Sequence, residues 1–546
     1  MQTTVNPVVE EVARRNANYK PNIWNYERLQ ALRNEYEGAM YRREAEMLKA
    51  EVLSVFRAVE DPLHKLELID QMNKLSLSHL FKEEIREAIL KIVSIEGIAS
   101  AMNESLYSCS LYFRILRQYG FDVSPDMFLN FIDGEESLAA NTNSDAKPML
   151  ELYEASHFAK EGEGLLDRAK AVAYKNLKHF LSNNRGSNIY APNCPLNQSV
   201  GWYNAKVHIN GHDMIINRRS SMPRLARLSF NMVQAQHQKD LKEILGWWRN
   251  LGVCESLSFT RDRVVESFLW AVGVAYEPEY GSLRKWLTKA ILLVLIIDDM
   301  YDIYASLEES EIFTKAVERW DPTEIEQLPE PIQKCFWILH DTARNIDLEV
   351  QSEKGWKSVL PYIRNYWTDF CKALLLEARW HHTGYFPTLK EYLDNGWVSS
   401  CGPVLALHAL IGIGQERNET LDILDTKQEI VHYSSMIIRL CNDLGTSKAE
   451  LERGDAPSSV LCYMREASAT EDEARQYIRD LITSCWNKLN EFFINSSHVQ
   501  QPIIRYIINT GRVASFIYQD GDGFGVQDKG TREQVLSCLI EPLPIL

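Results

Sequence analysis

Residues 291–305 read ILLVLIIDDMYDIYA. An apolar run ends abruptly in three carboxylates, Asp298, Asp299 and Asp302. In an α-helix at 100° per residue, Asp298 and Asp302 lie about 40° apart on one face. Three carboxylates at the end of a buried helix repel one another and are costly to desolvate. A divalent cation between them removes the conflict. Oxygen-only ligands suit Mg²⁺, which keeps several waters and is typically shared with substrate phosphates. Taken alone, the same letters also fit an ordinary solvated helix end.

Working outward, the periodicity predicts helices almost throughout. Apolar residues three and four apart mark 41–56, 62–80, 82–93, 150–158, 164–181, 264–274, 282–303 and 473–492. With 26 glycines and 19 prolines in 546 residues, turn formers are sparse. No convincing period-two alternation and no βαβ rhythm appears. A stretch rich in Asn, Gly, Pro and Ser at 182–199 reads as a loop, and 218–223 (RRSSMP) as a break before a strong helix from Leu225 to Trp248. The chain is thus expected to be all-α with two helical domains, 1–225 and 226–546.

Lys plus Arg is 59 against 75 Asp plus Glu, a formal charge of −16. That argues against a protein built to grip nucleic acid. The longest apolar run, Ala290–Ile297, is far short of the roughly 20 residues that span a bilayer. Ten cysteines without a CxxC pair read as reduced, buried thiols of an intracellular protein. The first 13 residues, MQTTVNPVVEEVA, show neither a signal peptide nor a transit peptide.

A second oxygen-rich set lies at 437–455, IIRLCNDLGTSKAELERGD. Asn442, Thr446 and Glu450 are spaced i, i+4, i+8, a stripe that drifts only about 80°. They offer an amide carbonyl, a hydroxyl and a carboxylate, with Asp443 alongside. Arg439 falls on the same face. An arginine among metal ligands fits a bound anion, since its fork matches phosphate oxygens. Arg261-Asp262-Arg263 adds two more cations upstream of Asp298. No Walker loop or GxGxxG supports a nucleotide. The combination describes a diphosphate held by Mg²⁺ between two acidic helix faces.

DDMYD at 298–302, NDLGTSKAE at 442–450 and RDR at 261–263 resemble the three motifs of class I plant terpene synthases. Arg14-Arg15 followed by Trp24 (RRNANYKPNIW) resembles that family's N-terminal tandem-arginine motif. Further likeness at 116–124, 152–158, 259–263 and 518–525 extends it over nearly the whole chain. The chain is similar to the angiosperm subfamily that makes monoterpenes, isoprene and acyclic terpenes such as ocimene, farnesene, linalool and nerolidol. The departures are 192–216, which lacks the family's usual basic, Trp-containing pattern, and Ala305, where glycine is commoner. His208 and His212 have metal-ligand spacing, but Gly211 between them disfavours helix and no third ligand is evident.

The resemblance implies a C-terminal class I terpenoid synthase fold and an N-terminal α-barrel-like domain, silent because DxDD is absent. It implies that Asp298, Asp302, Asn442, Thr446 and Glu450 bind three Mg²⁺ ions, with Mn²⁺ as a substitute. Asp299 would support the first set. Arg261, Arg263 and Arg439 would take the departing diphosphate. Trp270 would wall the cation's pocket; core packing accounts for its spacing equally well. Ser399–Gly402 looks like the family's broken helix. Tyr518 and Asp522 would sit in a glycine-bearing lid. The expected activity is loss of diphosphate from farnesyl or geranyl diphosphate, leaning to an acyclic product, by a cytoplasmic monomer. A plastid enzyme giving a cyclic product from geranyl diphosphate is the alternative. A chain-elongating transferase normally carries two DDxxD motifs, and a non-catalytic scaffold gives no reason for Arg439, Asn442, Thr446 and Glu450 on one face.

Overall fold

The computed structural model describes all residues except 1–13, 15–18, 134–136, 139–145, 184–193, 216–220, 454–456, 528 and 546. The side chains of 133, 137, 138, 183, 212–215 and 448–453 also lie outside the description. Among the described residues the chain is helical, apart from a two-residue antiparallel pair, Ile132–Asp133 with Ser137–Leu138.

Local sequence sets where the helices begin. Asp61 accepts from the His64 N–H and is followed by Pro62, so Pro62–Lys74 starts there. Ser306 with Glu309, Thr388 with Glu391, and Thr470 with Glu473 form capping boxes at three further starts. Two helices end earlier than periodicity suggests. The first stops at Lys74, because Ser76 adopts φ 55° and a 3₁₀ turn, Ser78–Leu80, follows. The aspartate helix, Gly281–Asp299, gives way to a π turn at Met300–Tyr304. The long helix after the break spans Ser221–Leu251. Gly201–Ile215 is helical through Gly211, contrary to expectation, and carries both His208 and His212. The His212 side chain lies outside the description.

The aspartate helix is buried nearly all round over its second half, from Ala290 at 0% exposure to Ile297 at 0%. Its neighbours Val264–Val274 and Gly402–Ile413 are equally apolar. The segment Leu389–Ile413 is long and apolar enough to suggest a membrane span, yet 72% of its most apolar window is buried in the protein. It is also two helices. Leu389–Ser399 and Gly402–Ile413 are separated by Cys401 at φ 63°. Gly402 is required at this break: a Cβ there would fall 2.7 Å from the Ser435 Cα.

The N-terminal helices close over a charged core in which Arg114, 1% exposed, pairs with Asp70 at 2.7 Å and with Glu151. Buried amides seal them to the C-terminal helices. Asn197 donates to Asn490 Oδ1 at 2.9 Å, and Asn490 donates to the carbonyls of His157 and Ala159. A cavity of about 690 Å³ lies along this seam, walled by Arg114, Trp202, Tyr276 and Arg505 among others. It shares no lining residue with the acidic helix faces. All ten cysteines are free. Seven are buried, but Cys254 is exposed and Cys194 and Cys401 are half-buried, so the expectation of uniformly buried thiols is too simple.

Candidate active site

The two aspartates at the end of the aspartate helix face different surroundings. Asp299 has no exposed side-chain surface, whereas the Asp298 side chain is 31% exposed. Arg261, from the loop before Val264–Val274, lies between them. Its Nη2 donates to Asp298 Oδ2 at 2.7 Å, and its Nε donates to Asp299 Oδ1 at 3.1 Å. The Arg261 backbone N–H and the Thr260 hydroxyl also donate to Asp299 Oδ2, at 3.0 and 3.1 Å. Burial works against the guanidinium charge, but Asp299 and Asp298 hold its pKa well above the ordinary value. Burial pushes the Asp298 carboxyl up to about 6; Arg261 opposes the rise and Asp299 adds to it.

The π turn at Met300–Tyr304 takes more residues per turn than an α-helix, so the ideal 40° separation of Asp298 and Asp302 does not hold across it. It sends Tyr301 inward, where its hydroxyl meets Thr314 Oγ1 at 2.6 Å, and leaves Asp302 on the exposed side. π turns recur at functional sites because they re-aim a side chain without ending the helix.

The second face lies on Gln428–Arg453. Arg439 Nη1 donates to Asn442 Oδ1, Asp443 Oδ1 and the Tyr392 hydroxyl, each at 3.3 Å. Asp443 is fully buried and also accepts from Tyr392 and from the Ser459 N–H. It therefore positions Arg439 and faces away from solvent. Thr446 is 3% exposed and its hydroxyl donates to the Asn442 carbonyl at 2.9 Å. The Glu450 side chain lies outside the described residues. The broken helix joins the faces: Ser399 Oγ accepts from Arg439 Nη2 at 3.4 Å and donates to Glu377 Oε1 at 2.5 Å. Burial pushes the Cys401 thiol up to about 12; Asp298 adds to the rise and Arg439 opposes it, so both charges are felt at this break.

Trp270 is 3% exposed, and its ring meets Tyr518 edge-on at 6.3 Å and Phe524 at 5.6 Å. Its indole N–H has no hydrogen-bond partner among the described residues. Arg263 is brought to the lid rather than to the aspartates. Its Nε donates to the Phe524 carbonyl at 2.6 Å and its Nη2 to the carbonyls of Lys20 and Gly525. Asp522 also serves the lid, since its Oδ1 accepts from the N–H groups of Phe524 and Gly525. Arg263 and Asp522 thus both hydrogen-bond the backbone of the segment at 522–525.

The N-terminal segment crosses the site. Arg14 pairs bidentately with Glu309 and donates to the Tyr304 carbonyl. Asn22 and Tyr26 donate to Asp262, and Trp24 Nε1 donates to Glu266 Oε1 at 2.7 Å. Arg15 lies outside the described residues. Sequence reading missed Tyr19, Thr260, Glu377 and Tyr392. Glu377 had a detectable mark: it follows Phe370 and Leu374 on a buried stripe of Leu360–Thr383.

Among the described residues no three His, Cys, Asp or Glu side chains form a ready-made metal cage. The oxygen donors are instead split between two helices and include an amide and a hydroxyl. That chemistry fits hard cations that complete their coordination with water and phosphate oxygens. Oxygen donors on two helices with arginines beside them, on an all-α framework, have the chemistry that a metal-dependent diphosphate site requires.

The family comparison agrees. Residues 23–200 match the terpene synthase N-terminal domain and residues 249–488 match the terpene synthase metal-binding domain. The chain belongs to the terpene synthase family. It is 46% identical over 542 residues to an (E,E)-alpha-farnesene synthase of Malus domestica, covering 97% of this chain and 94% of that protein. It is 43% identical over 541 residues to an alpha-farnesene synthase of Ricinus communis, covering 97% and 96%. A crystal structure of limonene synthase with 2-fluorolinalyl diphosphate superposes with TM-score 0.92 at 34% identity, covering 97% of this chain and 100% of that one. Isoprene synthase from grey poplar, in complex with three Mg²⁺ ions and dimethylallyl-S-thiolodiphosphate, superposes with TM-score 0.87 at 36% identity, covering 96% and 99%.

Proposed function

We propose that this terpene synthase ionises farnesyl diphosphate, and geranyl diphosphate alongside it, and releases an acyclic terpene of the farnesene, ocimene, nerolidol or linalool type. The observation that carries the reading is Arg261 bridging Asp298 and Asp299, with Arg439 anchored on the facing Asn442 and Asp443. In this reading Asp298, Asp302, Asn442, Thr446 and Glu450 hold the metal cluster. When bound, Mg²⁺ stabilises the charge that develops on the departing diphosphate. Arg261 and Arg439 bind the diphosphate oxygens and are preorganised for that charge by carboxylates already in place. Trp270, Tyr518 and Phe524 present aromatic faces to the allylic cation and keep water from it. The lid around Asp522, held by Arg263, closes the cleft. The chain divides at about residue 225 into a silent N-terminal domain and the catalytic one.

The acyclic lean is supported by two farnesene synthases at 46% and 43% identity. The limonene synthase likeness favours the second reading, a cyclic monoterpene from geranyl diphosphate. Chiral gas chromatography of products from each diphosphate, with and without isopentenyl diphosphate, separates the readings. Acyclic products unaffected by isopentenyl diphosphate are expected. A mainly cyclic product refutes the lean, and an elongated diphosphate refutes the lyase reading. A fluorescent fusion of the full reading frame separates cytoplasm, the expected location, from plastid.

A further inference from the structure

Tyr19 reaches Asp299 from the other side of the site. Its hydroxyl donates to Asp299 Oδ1 at 2.7 Å, and its ring lies 5.0 Å from the Arg261 guanidinium. Neighbouring side chains of the segment reach elsewhere: Arg14 to Glu309, Asn22 and Tyr26 to Asp262, and Trp24 to Glu266. The Tyr19 hydroxyl is thus a donor to a carboxylate that has no exposed side-chain surface.

The contacts form a chain: Tyr19 hydroxyl, Asp299 carboxylate, Arg261 guanidinium, Asp298 carboxylate. Arg261 has two acidic claimants. If Asp299 is fully satisfied and fixed, Arg261 stays shared between them. If Asp299 loses the Tyr19 donor, its Oδ1 is left with Arg261 alone, and the position of Arg261 between the two carboxylates, and with it that of the Asp298 oxygen proposed to take metal, is no longer fixed. We propose that Tyr19 is a positioning residue: its hydroxyl locks Asp299, and through Asp299 it sets Arg261, so that Asp298 can bind metal once the N-terminal segment is docked. The inference rests on the reading of Asp298 as a metal ligand.

Tyr19→Phe tests it, since it keeps the ring over Arg261 and deletes one hydrogen bond. Loss of an outer partner of a metal ligand typically costs about tenfold or more in metal affinity or activity. We expect kcat/KM for the prenyl diphosphate to fall about tenfold, mainly in kcat. Mn²⁺ affinity measured by electron paramagnetic resonance with inorganic diphosphate should weaken by a similar factor. Hydrogen exchange of the amides at 20–26 should not change. Wild-type kcat/KM and Mn²⁺ affinity in Tyr19→Phe would overturn the proposal. So would loss of amide protection at 20–26 alongside the lost affinity, because the hydroxyl would then be anchoring the segment rather than Asp299. A wild-type protein that turns over no prenyl diphosphate would sink the proposed function itself, which the comparison of variant with active wild type does not touch.

Discussion

Asp298 and Asp299 are adjacent in sequence and opposite in surroundings. Asp299 is spent inside the protein on Arg261, Thr260 and Tyr19. Asp298 keeps exposed surface. Asp298→Ala should therefore lower turnover by about 10²-fold or more with unchanged circular dichroism and melting temperature, and Glu450→Ala should do the same. Near-wild-type rates at saturating Mg²⁺ would contradict the metal assignment. Trp270→Leu keeps apolar bulk and removes a π face. Turnover should fall about thirtyfold, the equivalent of about 2 kcal/mol for a desolvated cation–π contact, as measured by steady-state kinetics. The acidic motifs were legible because clustered carboxylates at the end of an apolar helix are costly unless a cation joins them. Tyr19 was not, since one tyrosine in a non-periodic segment carries no pattern. The carbonyl contacts of Arg263 at Phe524 and Gly525 were not legible either, since a motif in a loop does not say which distant backbone a side chain meets.

At the scale of elements, the lid and the second acidic face meet at a glycine. A Cβ on Gly445 would lie 2.8 Å from the Gly521 carbonyl oxygen and 3.1 Å from that of Tyr518, both backbone atoms that cannot rotate away. Gly445→Ala should hold the lid away from Asn442 and Thr446. We expect kcat to drop several-fold and the share of water-quenched alcohol to rise, with the melting temperature nearly unchanged. A wild-type product ratio would show that closure does not depend on this approach. Helix existence was readable from three-and-four periodicity, as in Glu471–Asn495, found within a few residues of its limits. The breaks were not. Ser76 and Cys401 take positive φ without being glycine, and the π turn at Met300–Tyr304 follows from packing Tyr301 against Thr314 rather than from local propensity.

In the whole molecule, the N-terminal helices enclose a core charge that is paired. Despite burial, Arg114 and Lys74 hold the Asp70 carboxyl well below the usual carboxylate range. The ionised pair therefore stabilises fully above the unfolded carboxyl value of about 3.9, and that contribution fades as pH falls through the depressed folded value. Arg114→Ala strands Glu151 and leaves Asp70 to Lys74, and should cost about 3 kcal/mol near neutral pH. The gap between wild-type and variant melting temperatures should narrow below about pH 4; a gap independent of pH would mean that Arg114 acts by packing alone. The seam between domains was the least legible feature, because Asn197, Asn490 and Gln501 look like surface amides until the fold buries them against distant carbonyls. The proposed function turns on two oxygen-rich helix faces using Mg²⁺ to expel diphosphate from a prenyl chain. The most direct test follows inorganic diphosphate and volatile terpene together from farnesyl diphosphate while Mg²⁺ is titrated. The two should appear in equal amounts, rise together with Mg²⁺ and vanish on chelation. Terpene formation that persists without metal, or Mg²⁺-saturated protein that releases no diphosphate, would contradict it.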